Sequence, residues 1–251
     1  MKKTVLILSV LGILFLMTSC LGDTTNNYSD NSFVYVDRDD NGQVYGKTFS
    51  YFSPSRLITS SAMMSMNPGS FKFIVYSWDE TDGYTPIKID GQSYKADNVK
   101  FAGQVIDISK TDLHLGGLPV VEDPVGFDEI REPIYANDKS FINDYWVLEY
   151  YYTAKKGLTG RVDFYKRNEL NDKGEIVIDM VLTLTGTADA TTNVKNGDAV
   201  AVNMTQLRSM IGGGSSDKNL KIRFSYYKNR DNAEPEKVES QNVYNWKIEE
   251  D

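Results

Sequence analysis

Residues 176–185 read Ile-Val-Ile-Asp-Met-Val-Leu-Thr-Leu-Thr, and this stretch decides the fold. Ile176, Ile178, Met180, Leu182 and Leu184 fall on one side of an extended chain. Val177, Asp179, Val181, Thr183 and Thr185 fall on the other. A period of two is the strand period; a helix would scatter the same groups around its axis. The alternation recurs on both sides. Leu158, Gly160, Val162 and Phe164 oppose Thr159, Arg161, Asp163 and Tyr165. Trp146, Leu148, Tyr150 and Tyr152 oppose Val147 and Glu149, and Leu220, Ile222, Phe224 and Tyr226 oppose Lys221, Arg223, Ser225 and Tyr227. One apolar and one wetter face is the pattern of an antiparallel sheet on a core.

Turn signals separate these runs: Asp90-Gly91, Lys156-Gly157, Asp172-Lys173-Gly174, Asn196-Gly197 and Gly212-Gly213-Gly214. Further strands are expected at 33–36, 44–52, 71–78, 85–89, 98–108, 199–203 and 243–248. Only Thr205 to Ile211 carries a helical signal, stopped by Gly212. Strands joined by short turns, without intervening helices, predict an all-β chain.

The stretch Gly116 to Pro133 interrupts the pattern with Pro119, Pro124 and Pro133 and with Glu122, Asp123, Asp128, Glu129 and Glu132. Proline excludes it from central strands. It reads as a Pro/acidic linker, 116–137, between an N-terminal β module (33–115) and a C-terminal β module (138–251). The competing reading is a long loop inside one sandwich.

The N-terminus is of another kind. Lys2 and Lys3 precede an apolar run from Val5 to Met17, which is short for a permanent span. Thr18, Ser19 and Cys20 follow, and Cys20 is the only cysteine of the 251 residues. Residues 1–19 read as a signal peptide, and Met17-Thr18-Ser19-Cys20 resembles a bacterial lipobox. That resemblance makes Cys20 a lipidated N-terminus, and several acyl chains on one residue give stable anchoring. Leu21 in place of Asp implies the outer membrane, with the face left open. Residues 20–32 are small and polar and read as a tether. Removing residues 1–19 takes Lys2 and Lys3 from the 27 basic side chains, leaving 25 against 35 acidic, a net −10 in place of −8.

The C-terminal layout resembles the NigD-like lipoproteins. The resemblance runs through Ile142-Asn143-Asp144-Tyr145-Trp146, Leu148-Glu149-Tyr150-Tyr151-Tyr152, Asp172-Lys173-Gly174-Glu175-Ile176, the stretch Val200 to Ile211, and Leu220-Lys221-Ile222. In the first module it is carried best by Phe71 to Asn98, including Asp82-Gly83-Tyr84. It implies a small OB-like barrel followed by an antiparallel β-sandwich, behind a lipoprotein signal peptide. It supplies no catalytic residues.

Several chemistries are disfavoured by composition. The acidic balance argues against a phosphate-neutralising nucleic-acid face. One Cys and one His leave no Cys-rich or His-pair metal site. Gly-x-Ser-x-Gly is absent, so a Ser-His-Asp triad would rest on His114 alone, which alternates with Leu113 and Leu115 and points toward solvent. Ser215-Ser216-Asp217-Lys218 matches Ser-x-x-Lys but follows three glycines and reads as a loop. Two carboxylates for glycoside hydrolysis can be chosen at will among 35 acids.

Two candidate sites remain. Asp37, Asp39 and Asn41, with Gly42 and Val44, repeat the opening of a calcium loop, although Thr48 stands where a bidentate Glu belongs. The same residues suit a hairpin turned at Asn41-Gly42. Tyr151 and Tyr227 lie on the polar sides of their strands and are the aromatic residues best placed to meet a ligand. No cofactor other than Ca²⁺ is suggested. The expected function is an outer-membrane-anchored, non-catalytic lipoprotein that binds or scaffolds a glycan or a protein outside the cytoplasm. The alternatives are a cell-surface hydrolase using carboxylates and an adhesin- or fimbria-type subunit.

Overall fold

The computed structural model describes residues 27–51, 53–137, 139–212, 218–230 and 233–248. The chain is all-β, as the alternation predicts. The first module contains β1 (Asn27–Arg38), β2 (Val44–Phe49), β3 (Leu57–Thr59), β4 (Phe71–Asp79), β5 (Tyr84–Ile89), β6 (Gln92–Asn98), β7 (Lys100–Phe101) and β8 (Ile106–His114). β1 pairs with β2 and β4, and β2 pairs with β3, all antiparallel. β3 runs parallel to β6, and β7, one residue further on, returns antiparallel onto β4. The pairings come back to their start as a ring built on five strand positions. Val34, Val36, Val44, Ile58, Ile74, Tyr76 and Trp78 fill it. β5 lies outside the ring as a hairpin partner of β6, turned at Asp90 and Gly91, both at positive φ.

The strand expected over 98–108 is in fact three pieces, the end of β6, then β7 and the start of β8, because the chain changes partner at each break. The tether expectation also needs correction. Residues 20–26 lie outside the described residues, but Asn27 to Ser32 are strand, paired with β4 from Asn27↔Asp79 to Ser32↔Ile74. The physical reason is Tyr28. Its ring stacks on Trp78 at 5.5 Å, its hydroxyl donates to Asp97 at 2.5 Å, and the Arg56 guanidinium lies 4.2 Å from its centroid. One anchored aromatic in a polar run is enough to order it.

The second module contains β9 (Glu129–Ile130), β10 (Tyr145–Lys155), β11 (Leu158–Lys166), β12 (Ile176–Gly186), β13 (Asn193–Asn203), β14 (Lys218–Arg230), β15 (Ala233–Glu239) and β16 (Tyr244–Ile248). Two helices complete it, α1 (Lys139–Ile142) and α2 (Thr205–Gly212). One sheet runs β9-β10-β13 and the other β11-β12-β14, with β15 and β16 on the far edge of β14. β8 runs parallel to both β13 and β11 and joins the two sheets. β12 and β14 are also parallel. The expectation of a purely antiparallel sandwich is therefore corrected: β13 and α2 intervene between β12 and β14, so the chain re-enters from the same end. Trp146, Leu148, Tyr150, Val162, Phe164, Ile178, Met180, Ile222, Phe224 and Trp246 form the core.

Residues 116–137 are not a free linker. Val125 bridges to Leu182, Phe127 to Lys228 and Ile134 to Val147, and β9 pairs with Tyr150 and Tyr151. The segment laces the two sheets together on the side away from β8. Phe127, wholly buried, explains why acidic, Pro-containing sequence is held there. The boundary at residue 115 likewise follows a strand that serves both modules. Phe33, Tyr35, Phe49 and Phe71 of the first module pack on Ile142, Val147, Ala199 and Ala201 of the second, which is why the second face of β10 carries Val147.

Phe127→Ala is expected to lower unfolding free energy by about 3–5 kcal/mol in urea denaturation. A residue in a solvated linker would change it by no more than about 0.5 kcal/mol.

Candidate functional site

β8 pairs with β4 through Ile106, Asp107 and Ile108, then with β13 from Ser109 onward. Where it turns from one partner to the other, a cleft of about 380 Å³ opens between the modules. Phe33, Phe73, Ile106, Ile108 and Ala199 give it an apolar floor, and Arg131, Glu149, Tyr151, Gly197 and Asp198 form its wall. Ile106 is 51% exposed, an unusual state for isoleucine on a strand.

Tyr151 is the centre of the wall. It faces Gly197 across the β10–β13 ladder. A Cβ on Gly197 would stand 2.8 Å from Tyr151 Cε1, so the ring lies against bare backbone. This corrects the expectation of a turn at Asn196-Gly197: the dipeptide lies inside β13, and the glycine makes room for a ring. The Arg131 guanidinium and Lys195 Nζ each lie 5.4 Å from the Tyr151 centroid. Arg131 donates to Glu149 at 2.6 Å, so that pair is locally neutral. Lys195 is exposed and makes no ion pair among the described residues. Asp198 is the second acid of the wall. Its carboxylate accepts from the Ala199 N–H at 2.7 Å and the Tyr150 hydroxyl at 3.4 Å, and desolvation pushes its pKa up.

Solved structures share this architecture. No protein-family model matches the chain, and no curated protein matches it. The fold is a known one. An uncharacterised protein from Parabacteroides merdae ATCC 43184 superposes with a TM-score of 0.58 at 11% identity, over 88% of this chain and 100% of its own. A protein from Bacteroides fragilis NCTC 9343, provisionally described as a lipoprotein, gives 0.53 at 12% identity over 89% and 99%. A NigD-like immunity protein from Bacteroides caccae ATCC 43185 gives 0.48 at 10% identity over 83% and 91%. At these identities the likeness is one of fold.

The other sequence candidates are placed as follows. Tyr227 is half-buried on β14, opposite Lys237 of β15, and does not line the cleft; its carbonyl accepts the Phe127 N–H at 2.8 Å. The structure therefore does not bring Tyr151 and Tyr227 together. Asp37, Asp39 and Asn41 form the hairpin. Asp37 pairs with Lys47 Nζ at 3.0 Å. Asp39 accepts the N–H groups of Asn41, Gln43 and Lys88 at 2.9, 2.8 and 3.1 Å. Burial would raise the Asp39 pKa, but those three donors outweigh it and hold the group below its usual range. The Asp37 and Asp39 carboxylates proposed for calcium are engaged by the protein's own donors. Among the described residues no group of three or more His, Cys, Asp or Glu side chains is placed to hold a metal ion. His114 is exposed and stacks on Tyr165 at 4.8 Å. Cys20 and residues 215–217 lie outside the described residues, and Lys218 opens β14.

Arg131, Lys195 and Ile106 were not singled out by the sequence reading. A charged residue on a polar strand face looks like any other until its neighbours are known. The long alternation through 193–203 was hidden by reading Asn196-Gly197 as a turn.

A second charged cluster covers the outer face of β12 and β14. Arg167 grips Asp179 through Nε and Nη2, both at 3.0 Å, and Lys237 Nζ lies 3.0 Å from the same carboxylate. Arg223 holds Glu175 at 2.6 and 3.1 Å. These paired acids are structural, since bidentate arginines keep them ionised. The Arg223 hydrogen bonds draw the Glu175 pKa from 4.5 to about 2. A depressed carboxylate stabilises the fold fully above its unfolded pKa and loses that contribution as pH falls toward the folded value. Unfolding midpoints should therefore drop between about pH 4.5 and 2, and Glu175→Gln should flatten that part of the profile.

Proposed function

We propose that this chain is an outer-membrane-anchored, non-catalytic lipoprotein whose inter-module cleft binds a ligand outside the cytoplasm. The observation that carries the binding reading is the cleft itself. Exposed Ile106 beside an apolar floor, and Tyr151 flanked by two cations, make a surface that gains by being covered. The anchoring reading rests on Met17-Thr18-Ser19-Cys20 behind a basic and apolar leader. The structural neighbour provisionally described as a lipoprotein is in keeping with it.

Binding is favoured over carboxylate hydrolysis by the partners of the acids. Glu149 lies opposite Ala199, on the cleft face of the sheet. Asp198, next along β13, borders the same cleft and accepts from the Ala199 N–H and the Tyr150 hydroxyl. Both carboxylates are thus engaged by the protein's own donors, Glu149 by Arg131 and Asp198 by the Ala199 N–H and the Tyr150 hydroxyl.

In cells grown with a labelled fatty acid, the full chain is expected to carry the label and sediment with outer membranes, and Cys20→Ala to do neither. Label or membrane retention in the Cys20→Ala variant overturns the anchoring. Turnover of a polysaccharide or peptide that Glu149→Gln abolishes overturns the non-catalytic reading.

A further inference from the structure

We propose that the free edge of β13 beside the cleft takes an extended segment of a partner protein as an added strand. This rests on the reading of the cleft as a binding site and supplies its chemistry.

β13 pairs with β10 along its whole length, from Lys155↔Asn193 to Tyr145↔Asn203. Its other edge pairs only at Val200–Asn203, with β8. Over Asn193–Ala199 that edge has no strand partner among the described residues. The direction of its polar groups follows from the ladder. The Lys156 N–H donates to the Thr192 carbonyl at 3.2 Å, in the same register. Even-numbered residues of β13 therefore turn their main-chain groups toward β10, and Asn193, Lys195, Gly197 and Ala199 turn theirs outward. Ala199 bears this out, because its N–H is taken up by the neighbouring Asp198 carboxylate at 2.7 Å. The N–H and C=O groups of Lys195 and Gly197 remain for an incoming strand.

The contrast with other edges is informative. β5 carries Pro86 and β15 carries Pro235, and a proline cannot donate to a new neighbour. β13 carries none. Its edge borders a cleft lined by Ile106 and Ile108, where alternate side chains of an added strand would find an apolar floor. Lys195 lies on the same face as Gly197 and Tyr151 and has no carboxylate partner among the described residues. The segment that fits has an acidic residue opposite Lys195 and an apolar residue two positions along, over the floor.

The test uses a phage-displayed library of random dodecapeptides, panned on the full chain in detergent micelles. Enriched peptides are expected to share an acidic and an apolar residue two positions apart. They are expected to protect the Lys195 and Gly197 amides from hydrogen exchange. Lys195→Pro, which removes an outward N–H, should weaken binding about tenfold, the worth of one hydrogen bond, and more than Lys195→Ala does. Exchange on the unsubstituted chain decides the matter if Lys195→Pro does not fold. The proposal is overturned by a library that yields no binder, or by binders that leave both amides unprotected. It is also overturned by a dimer of the chain that protects both amides without peptide, which gives the edge to a second copy. Binders that protect the Ile106 and Ile108 amides of the cleft but leave Lys195 and Gly197 exchanging overturn the added strand and keep the cleft as a binding site, whereas a library without a binder counts against both.

Discussion

A strand has two edges, and β8 spends its two edges on three neighbours. Ile106–Ile108 pair with β4, Ser109–Asp112 with β13, and Leu113 and His114 with β11. Because β8 is covalently continuous across both modules, their relative position is set by backbone hydrogen bonds as well as by side-chain packing. The aromatic seam then fills the space that β8 defines. Phe71 meets Tyr145 at 5.0 Å and Phe49 meets Phe141 at 6.3 Å, each joining one module to the other. Such pairs add about 0.5–1.5 kcal/mol each beyond the area they bury. The cleft follows from the same strand: β13 keeps its direction while β8 turns toward β4, and the sheets part where β8 leaves.

Much of this architecture was legible from local pattern. The alternations at 146–152, 158–165, 176–185 and 220–227 all fall in strands, with their apolar members in one core. Local pattern could not reveal pairing between distant segments. Whether Ile178 lies beside Phe224 in parallel or antiparallel sense leaves no trace in either segment. Prolines and acids made 116–137 look solvated, but the ladder needs only Val125, Phe127, Ile130 and Ile134 to be apolar, and all four are. The polar run at 27–32 misled for the same reason, since one tyrosine with a stacking partner outweighs its neighbours.

The cleft was legible only in part. Tyr151 could be picked because it breaks the polar face of its strand. Its setting could not, because Gly197 takes its meaning from the residue across the ladder. An Asn-Gly pair favours a hairpin when nothing else constrains it. Here eleven consecutive cross-strand pairs with β10 hold it extended.

An excess of acids suggests a surface that repels acidic partners, yet the buried ones are largely committed inside the fold. Asp97 serves Tyr28 and Arg56, Asp144 serves Arg208, Asp179 serves Arg167 and Lys237, and Glu175 serves Arg223. A carboxylate held this way is a poor proton donor and a poor ligand, since its lone pairs are already directed. The surplus acids are left at the exposed surface, where salt screens them beyond about 10 Å. Inside the cleft the balance is local. Arg131 pairs with Glu149 and lies 3.9 Å from Glu129, the Asp198 carboxylate takes the Ala199 N–H, and Lys195 stands beside Tyr151 without an ion pair among the described residues. A chain of net −8 thus presents its best apolar surface next to a cation. Glu129, Glu149 and Asp198 lie within a Debye length as well, so recognition there turns on which charge lacks an ion-pair partner, and among the described residues that charge is Lys195.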